Sequence, residues 1–249
     1  MAIIPGTPGD DNLPGTDEAD VIVADEGNDT IIGAAGNDFL SGEEGNDNIN
    51  TGIGNDVVLG GDGNDTVGGM AGSDTVLGGD GDDIVAWNDP TGDLVLGDEG
   101  NDTILGGNVA ADTIYGGEGD DLIRAFANSP ENATASDQLF GDEGDDVVLG
   151  GDAADTIEGG EDDDLLTGND GADVFVFRAS QEGSGEDTIT DFDPSEDIVQ
   201  LIGFQEGFDP IAALSATSDG TVLELGDGQS ILFVGRVVAE FGAGDFQIL

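Results

Sequence analysis

The sequence predicts an all-β fold, in which about nine coils of short parallel strands are closed by a small antiparallel C-terminal β cap. Three observations carry that reading. A nine-residue unit recurs in eighteen registers with Asp at its sixth place in every one. Two residues after each Asp stands an apolar residue, again without exception. From residue 177 the unit stops, and two strand-like runs flank a Gly226-Asp227-Gly228 turn.

The first five residues, Met1 to Pro5, are expected to pair with or cover the first coil, because an open end exposes strand edges. The repeats then run over residues 6–176, and Gly60-Gly61-Asp62-Gly63-Asn64-Asp65-Thr66-Val67-Gly68 shows the unit. Its glycines supply turn backbone at positive φ. One inward residue, here Val67, between outward Thr66 and Gly68 fits a very short strand. Nine residues make one turn and one strand, so two units make a coil and alternate registers stack. The Asp carboxylates then form columns, one step of about 4.8 Å per coil. Nine coils make a rod about 43 Å long at that spacing. Such a column repels itself, and a hard dication with six to eight oxygen ligands resolves the conflict.

The unit resembles the G-G-x-G-x-D-x-U-x nonapeptide of the repeats-in-toxin (RTX) family, which includes the repeat regions of serralysin-type proteases, haemolysin-type toxins and alginate-epimerase R-modules. The resemblance implies a right-handed parallel β-roll with multiple Ca²⁺ ions in its loops, about eight or more. By the same resemblance the ligands are sixth-place Asp side chains of stacked loops together with backbone carbonyls of the glycine-rich turns.

Sorted by parity, the loops differ. Odd registers end at Asp11, Asp29, Asp47, Asp65, Asp83, Asp102, Asp121, Asp146 and Asp164, and nearly all keep Gly at the fourth place. Their expected carbonyl ligands are those of Gly45, Gly60, Asp62, Gly63, Gly78, Asp80, Gly81, Gly97, Glu99, Gly100, Gly116, Glu118 and Gly119. Even registers are poorer in glycine and hold every insertion: one extra residue before Asp93, one before Asp112, and seven within the insert 125–136. The expectation is one unbroken column of about eight calcium sites and a second, partly filled edge. Candidate ligands on that second edge are Asp38, Asp56, Asp74, Asp155 and Asp173. The ninth place points outward, and on the even strands Leu59, Leu77, Leu96, Tyr115 and Phe140 form an apolar column. Cover by another part of the chain, self-association and ligand binding all remain open for it.

Residues 177–249 read as the cap. The stretch from Asp187 to Val199 resembles the segment that closes the roll in serralysin-type C-terminal domains, and Asp187 and Ile189 keep the Asp-x-apolar spacing. The final Asp245-Phe246-Gln247-Ile248-Leu249 resembles the family's type I secretion end. With no cleaved N-terminal signal peptide legible in Met1 to Ile4, the resemblance implies export by the type I secretion machinery and an extracellular location.

Charge narrows the partners. With 57 acids, three bases and a net charge of −54, the chain repels nucleic acid and anionic membrane and attracts cations. No run is long enough for a membrane span. Without His or Cys, the usual zinc, copper and haem ligands are missing, as are nucleophile–His pairs. The thin Leu, Ile and Val seam cannot alone offset chain entropy and charge, so metal binding must supply much of the folding free energy. No enzyme is expected. The expectation is a secreted, calcium-folded protein with a structural or adhesive role. The alternative is a calcium-dependent polysaccharide- or surface-binding module resembling the epimerase R-modules.

Overall fold

The computed structural model describes every residue except 70, 88–89, 108, 127–134, 180–184, 206 and 227. Most of the expected insert 125–136 therefore lies outside the described residues, as do part of the loop before Asp93 and the centre of the Gly226–Gly228 turn.

Two units make one coil. Among the described residues, the nine strands of the even registers lie in one sheet of twelve and the nine of the odd registers in a second of thirteen, the others coming from the N-terminus and the cap. Along the first sheet Ile22 pairs with Leu40, Leu40 with Val58 and Val58 with Val76, each eighteen residues on. The strand Ile3–Pro5 adds to the start of that sheet beside Val21–Val23, so the N-terminus pairs with the first coil.

The insertions leave the core register intact. Val95 pairs with Val76 and with Ile114, and Ile114 pairs with Leu139. The extra residues are absorbed in loops, because a slip of one residue would turn every buried side chain outward. All eighteen eighth-place residues are buried, and Leu13, the most open, is 7% exposed.

The two sheets differ in strand length. Odd-register strands are three residues long, as in Thr66–Gly68 and Thr103–Leu105. Even-register strands such as Val57–Asp62 and Leu94–Glu99 have six, because pairing continues into the loop that follows. There Gly61 pairs with Gly79 and Asp62 with Asp80. The odd-register loops are regular enough to extend the strands, whereas among the described residues the even-register loops contribute only isolated bridges, Ala35 with Ile53 and Ile53 with Ala71.

Past the last nonapeptide the ladders continue for one more coil. Glu186–Ile189 adds to one sheet beside Leu165–Thr167, and Ile198–Ile202 adds to the other beside Val174–Arg178. The hairpin of Gly220–Gly226 and Gln229–Val234 forms as its turn chemistry predicts, antiparallel, with Leu214–Ala216 on its outer side. Gln229–Val234 also pairs parallel with Glu186–Ile189, so the cap is joined to the roll by backbone hydrogen bonds. Phe192 packs edge-on to Phe233 at 5.0 Å and near Phe175 at 6.1 Å, while Phe241 lies 4.9 Å from Phe233 and 6.0 Å from Phe246. These rings plug the end of the apolar seam, which a solenoid must close.

Candidate metal-binding edges

The loops between strands place one column of aspartates along each edge of the roll. Each sixth-place backbone N–H donates to Oδ1 of the Asp one coil on. Asp29 donates to Asp47 at 2.7 Å, Asp47 to Asp65 at 2.7 Å and Asp102 to Asp121 at 2.7 Å. On the other edge Asp20 donates to Asp38 and Asp38 to Asp56, both at 2.7 Å. The Asp side chain thereby becomes a rung of the backbone ladder, which explains why no register lacks it.

That rung uses one oxygen. The second, Oδ2, is buried with no hydrogen-bond partner in Asp29, Asp47, Asp65, Asp83, Asp102, Asp121, Asp146 and Asp164 of the odd edge. The same holds for Asp38, Asp56 and Asp173 of the even edge. A buried carboxylate oxygen without a donor is costly, so it demands a cation or a proton. Burial pushes Asp47, Asp65 and Asp102 up to about 6, and Asp83 and Asp121 to about 7. Asp146 is pushed up to about 8. Asp164 rises to about 9, through burial first and then the facing charge of Asp187.

The turn glycines shape the space around these oxygens. A Cβ on first-place Gly60 would collide with Asp65 Oδ2 and with the carbonyl oxygen of Gly78. The carbonyls of Gly60, Gly78, Gly97 and Gly116 each face the first-place glycine of the preceding odd loop in this way. The third-place carbonyls of Asp62, Asp80, Glu99 and Glu118 accept hydrogen bonds of 2.6–2.7 Å from the N–H of Gly45, Gly63, Gly81 and Gly100. Gly63 stands at φ 127°, where only glycine is at ease, and a side chain there would strike the carbonyl of Gly45. Gly119 repeats that close approach against Gly100.

Among the described residues no three acidic side chains converge as a metal cluster. The donor set is instead one orphaned carboxylate oxygen with backbone carbonyls, all hard oxygens, which suits Ca²⁺. A calcium ion held there would supply positive charge to the orphaned oxygens. Outside the same loops, Asp80, Asp98, Glu99, Glu118, Asp142 and Glu143 help line an acidic groove of about 580 Å³. Such a groove concentrates cations along the edge.

Not every predicted ligand stands alike. Oδ2 of Asp11 accepts hydrogen bonds from the N–H and hydroxyl of Thr7 at 2.7 and 2.8 Å. Asp20 is served the same way by Thr16 at 2.7 Å. Oδ2 of Asp155 accepts from the N–H of Gly151 at 2.7 Å. Asp74 holds its place in the ladder, accepting from Asp56 and donating to Asp93. Asp187 and Asp197, which are not among the expected ligands, also join the columns. Asp164 donates to Asp187 at 3.1 Å and Asp173 to Asp197 at 3.0 Å. Both carry the signal that finds the others, Asp followed by an apolar residue two places on, in Ile189 and Val199.

The profile of the RTX calcium-binding nonapeptide repeat matches residues 5–40, 32–67, 59–86, 89–123, 134–157 and 149–178. The chain belongs to the RTX calcium-binding nonapeptide repeat family. Its nonapeptides are calcium-binding repeats of that family, and the RTX roll is the fold described above. No curated protein sequence matches this RTX chain. Among solved structures it is similar to the extracellular lipase LipA from Serratia marcescens, with 19% identity, a TM-score of 0.46 and 84% of this chain covered. The match takes in 40% of the lipase chain. It is also similar to the AlgE6R3 subunit of the Azotobacter vinelandii mannuronan C5-epimerase, with 25% identity and a TM-score of 0.22, covering 55% of this chain and 77% of that one.

Proposed function

We propose that this RTX chain is a secreted, non-catalytic protein that folds when it binds several Ca²⁺ ions outside the cell and then serves a structural or adhesive role. The observation that carries the reading is the file of eight odd-edge aspartates, each with one buried oxygen lacking any donor. A chain of net charge −54 that must bury such oxygens is unstable without cations and compact with them. Scarce calcium inside a cell and abundant calcium outside would keep the chain extended for passage through a type I secretion machinery and fold it on exit. The candidate ligands are the fourteen aspartates and the turn carbonyls named from the sequence. A calcium titration of EDTA-stripped protein, followed by far-UV circular dichroism, tests this. A coil-to-β transition at submillimolar to millimolar calcium is the expected result. A chain already folded without metal at neutral pH, or one indifferent to calcium, overturns it.

The outer apolar column favours a further element of this role. Leu59, Leu77, Leu96, Tyr115 and Phe140 stand on successive rungs, all half-buried. Tyr115 and Phe140 stack at 4.6 Å, only 9° from parallel. The column begins after Ser41 and ends at Glu158, which Arg178 clamps. The C-terminal strand Phe246–Ile248 pairs with Ile198–Ile202, at the cap end of that sheet and away from the column. Self-association through this column in calcium is the reading we favour. The second reading is capture of a polysaccharide or another surface. Tyr115→Ser with Phe140→Ser should abolish any calcium-dependent oligomer in light scattering. A glycan array in calcium tests the alternative.

A further inference from the structure

The surface charge of the roll is divided between its edges. Along the odd edge, third-place Asp62, Asp80, Glu99, Glu118 and Glu143 stand in register on successive rungs. The even loops over residues 33–38, 51–56, 69–74 and 106–112 hold no acid except the closing Asp, and that Asp is buried. One edge is therefore a file of exposed carboxylates, and the middle of the other is neutral.

Between these edges lies the outer face of the even-register sheet. Its central column runs from Leu59 to Phe140. On the side of the even edge stand Val57, Thr75, Leu94, Thr113 and Gln138, one per rung. Neither column carries a charge, although the chain has 57 acids. Val57 and Leu94 are exposed. On the side of the odd edge the same rungs carry Gly61, Gly79 and Gly117, with Asp98 and Asp142 between them, so that flank is a trough. An uncharged face with a ridge on one side and a trough on the other can close on a copy of itself.

Two two-fold arrangements lay one Leu59–Phe140 column on another. With the axis along the strands, the rolls run in opposite directions and Leu59 meets Phe140. The carboxylate files then coincide, Glu99 on Glu99 and Asp80 on Glu118, and facing like charges oppose such a contact. With the axis along the roll, every rung meets its own copy. The acidic edge of each roll then lies over the neutral edge of the other. Val57, Thr75 and Thr113 meet the trough glycines Gly61, Gly79 and Gly117 of the second copy, and the Gln138 amide faces Asp142 as a donor. Leu94 over Asp98 is the poor match.

We propose that in calcium two copies pair face to face with their rolls pointing the same way, about a two-fold axis parallel to the roll. This rests on the self-association reading above and adds the partner's orientation, which the division of charge selects.

The chain has no Cys, so a single introduced thiol reports on its own symmetry mate. Leu59→Cys, oxidised with diamide in calcium, should run as a covalent dimer on a non-reducing gel, and in EDTA it should not. In the opposed arrangement the two Leu59 positions lie four rungs apart, about 19 Å at about 4.8 Å per rung. A disulfide needs Cα atoms within about 7 Å. Phe140→Cys should likewise link to itself. A dimer in light scattering that links only when Leu59→Cys is mixed with Phe140→Cys overturns the orientation and leaves self-association standing. A dimer that links in neither experiment places the interface elsewhere and also overturns the proposal. A chain that stays monomeric in calcium at every concentration removes self-association itself and leaves the face to another occupant. Circular dichroism in calcium checks that each variant folds, and Leu77→Cys replaces Leu59→Cys if that one does not.

Discussion

One carboxylate has two tasks in this chain. On the odd edge from Asp29 to Asp164, Oδ1 of each Asp completes a backbone rung, and Oδ2 is left buried without a donor. The metal-free protein should therefore be pH-dependent in an unusual direction. The raised carboxyls hold protons in the fold at pH values where the unfolded chain, with Asp near about 3.9, has released them. Their contribution to stability is fully present below about pH 4. It is lost as pH rises through about 6 for Asp47, Asp65 and Asp102, and through about 9 for Asp164. Circular dichroism in EDTA should show β-structure near pH 4 that disappears by about pH 9. A flat profile contradicts this account. Calcium competes with those protons, so its affinity should fall as pH drops through the same window. In the first coil, Thr7 and Thr16 supply the donors instead. Thr16→Val should speed amide exchange in Val21–Val23 and leave the calcium count unchanged.

At the scale of elements, each three-residue strand of the odd registers contributes one buried side chain and two outward ones. Ile104, fully buried between Thr103 and Leu105, is such a unit. Ile104→Ala in calcium should cost about 2–5 kcal/mol in urea denaturation, and Thr103→Ala should stay within about 0.5 kcal/mol. The terminal rungs show how the open end is protected. Gly6 donates to Val23 and Gly15 to Ile32, so in these parallel ladders the nitrogens of Pro5 and Pro14, like those of Ile3 and Asn12, face away from the roll. Having no N–H, the two prolines remove half of the donors that these two strands would offer an incoming strand. Pro5→Thr with Pro14→Thr should give concentration-dependent end-to-end association in size-exclusion chromatography with light scattering. A variant that stays as monodisperse as the parent contradicts the argument.

For the whole molecule, the ledger is set by charge and metal rather than by core volume. The seam is one side chain wide, and the acids outnumber the bases by 54. An unfolded chain of this length has a radius of gyration on the order of 55 Å. Small-angle scattering should record a contraction to less than half of that when calcium is added and the reverse with EDTA.

Much of the roll was legible because its register is local. A nine-residue period with Asp and an apolar residue at fixed places determines the turn, the strand, the buried face and the stacking of alternate units. The hairpin at Gly226 to Gln229 was legible for the same reason, since its turn chemistry lies in four adjacent residues. What the sequence did not decide is which oxygens stay unsatisfied. Thr7 satisfies Asp11, and Gly151 satisfies Asp155; those loops carry Thr7 and Ala153 where the loop closed by Asp65 has Gly61 and Gly63, but the difference in residues does not by itself say which oxygen finds a donor. Nor does the period say that Asp187 and Asp197 close the columns after irregular spacing, or that cap strands join both sheets. The local pattern determined the fold, because each coil repeats one short-range rule. The state of each site was decided by the tertiary structure, because a carboxylate's partners come from its own loop and from the coils stacked on either side.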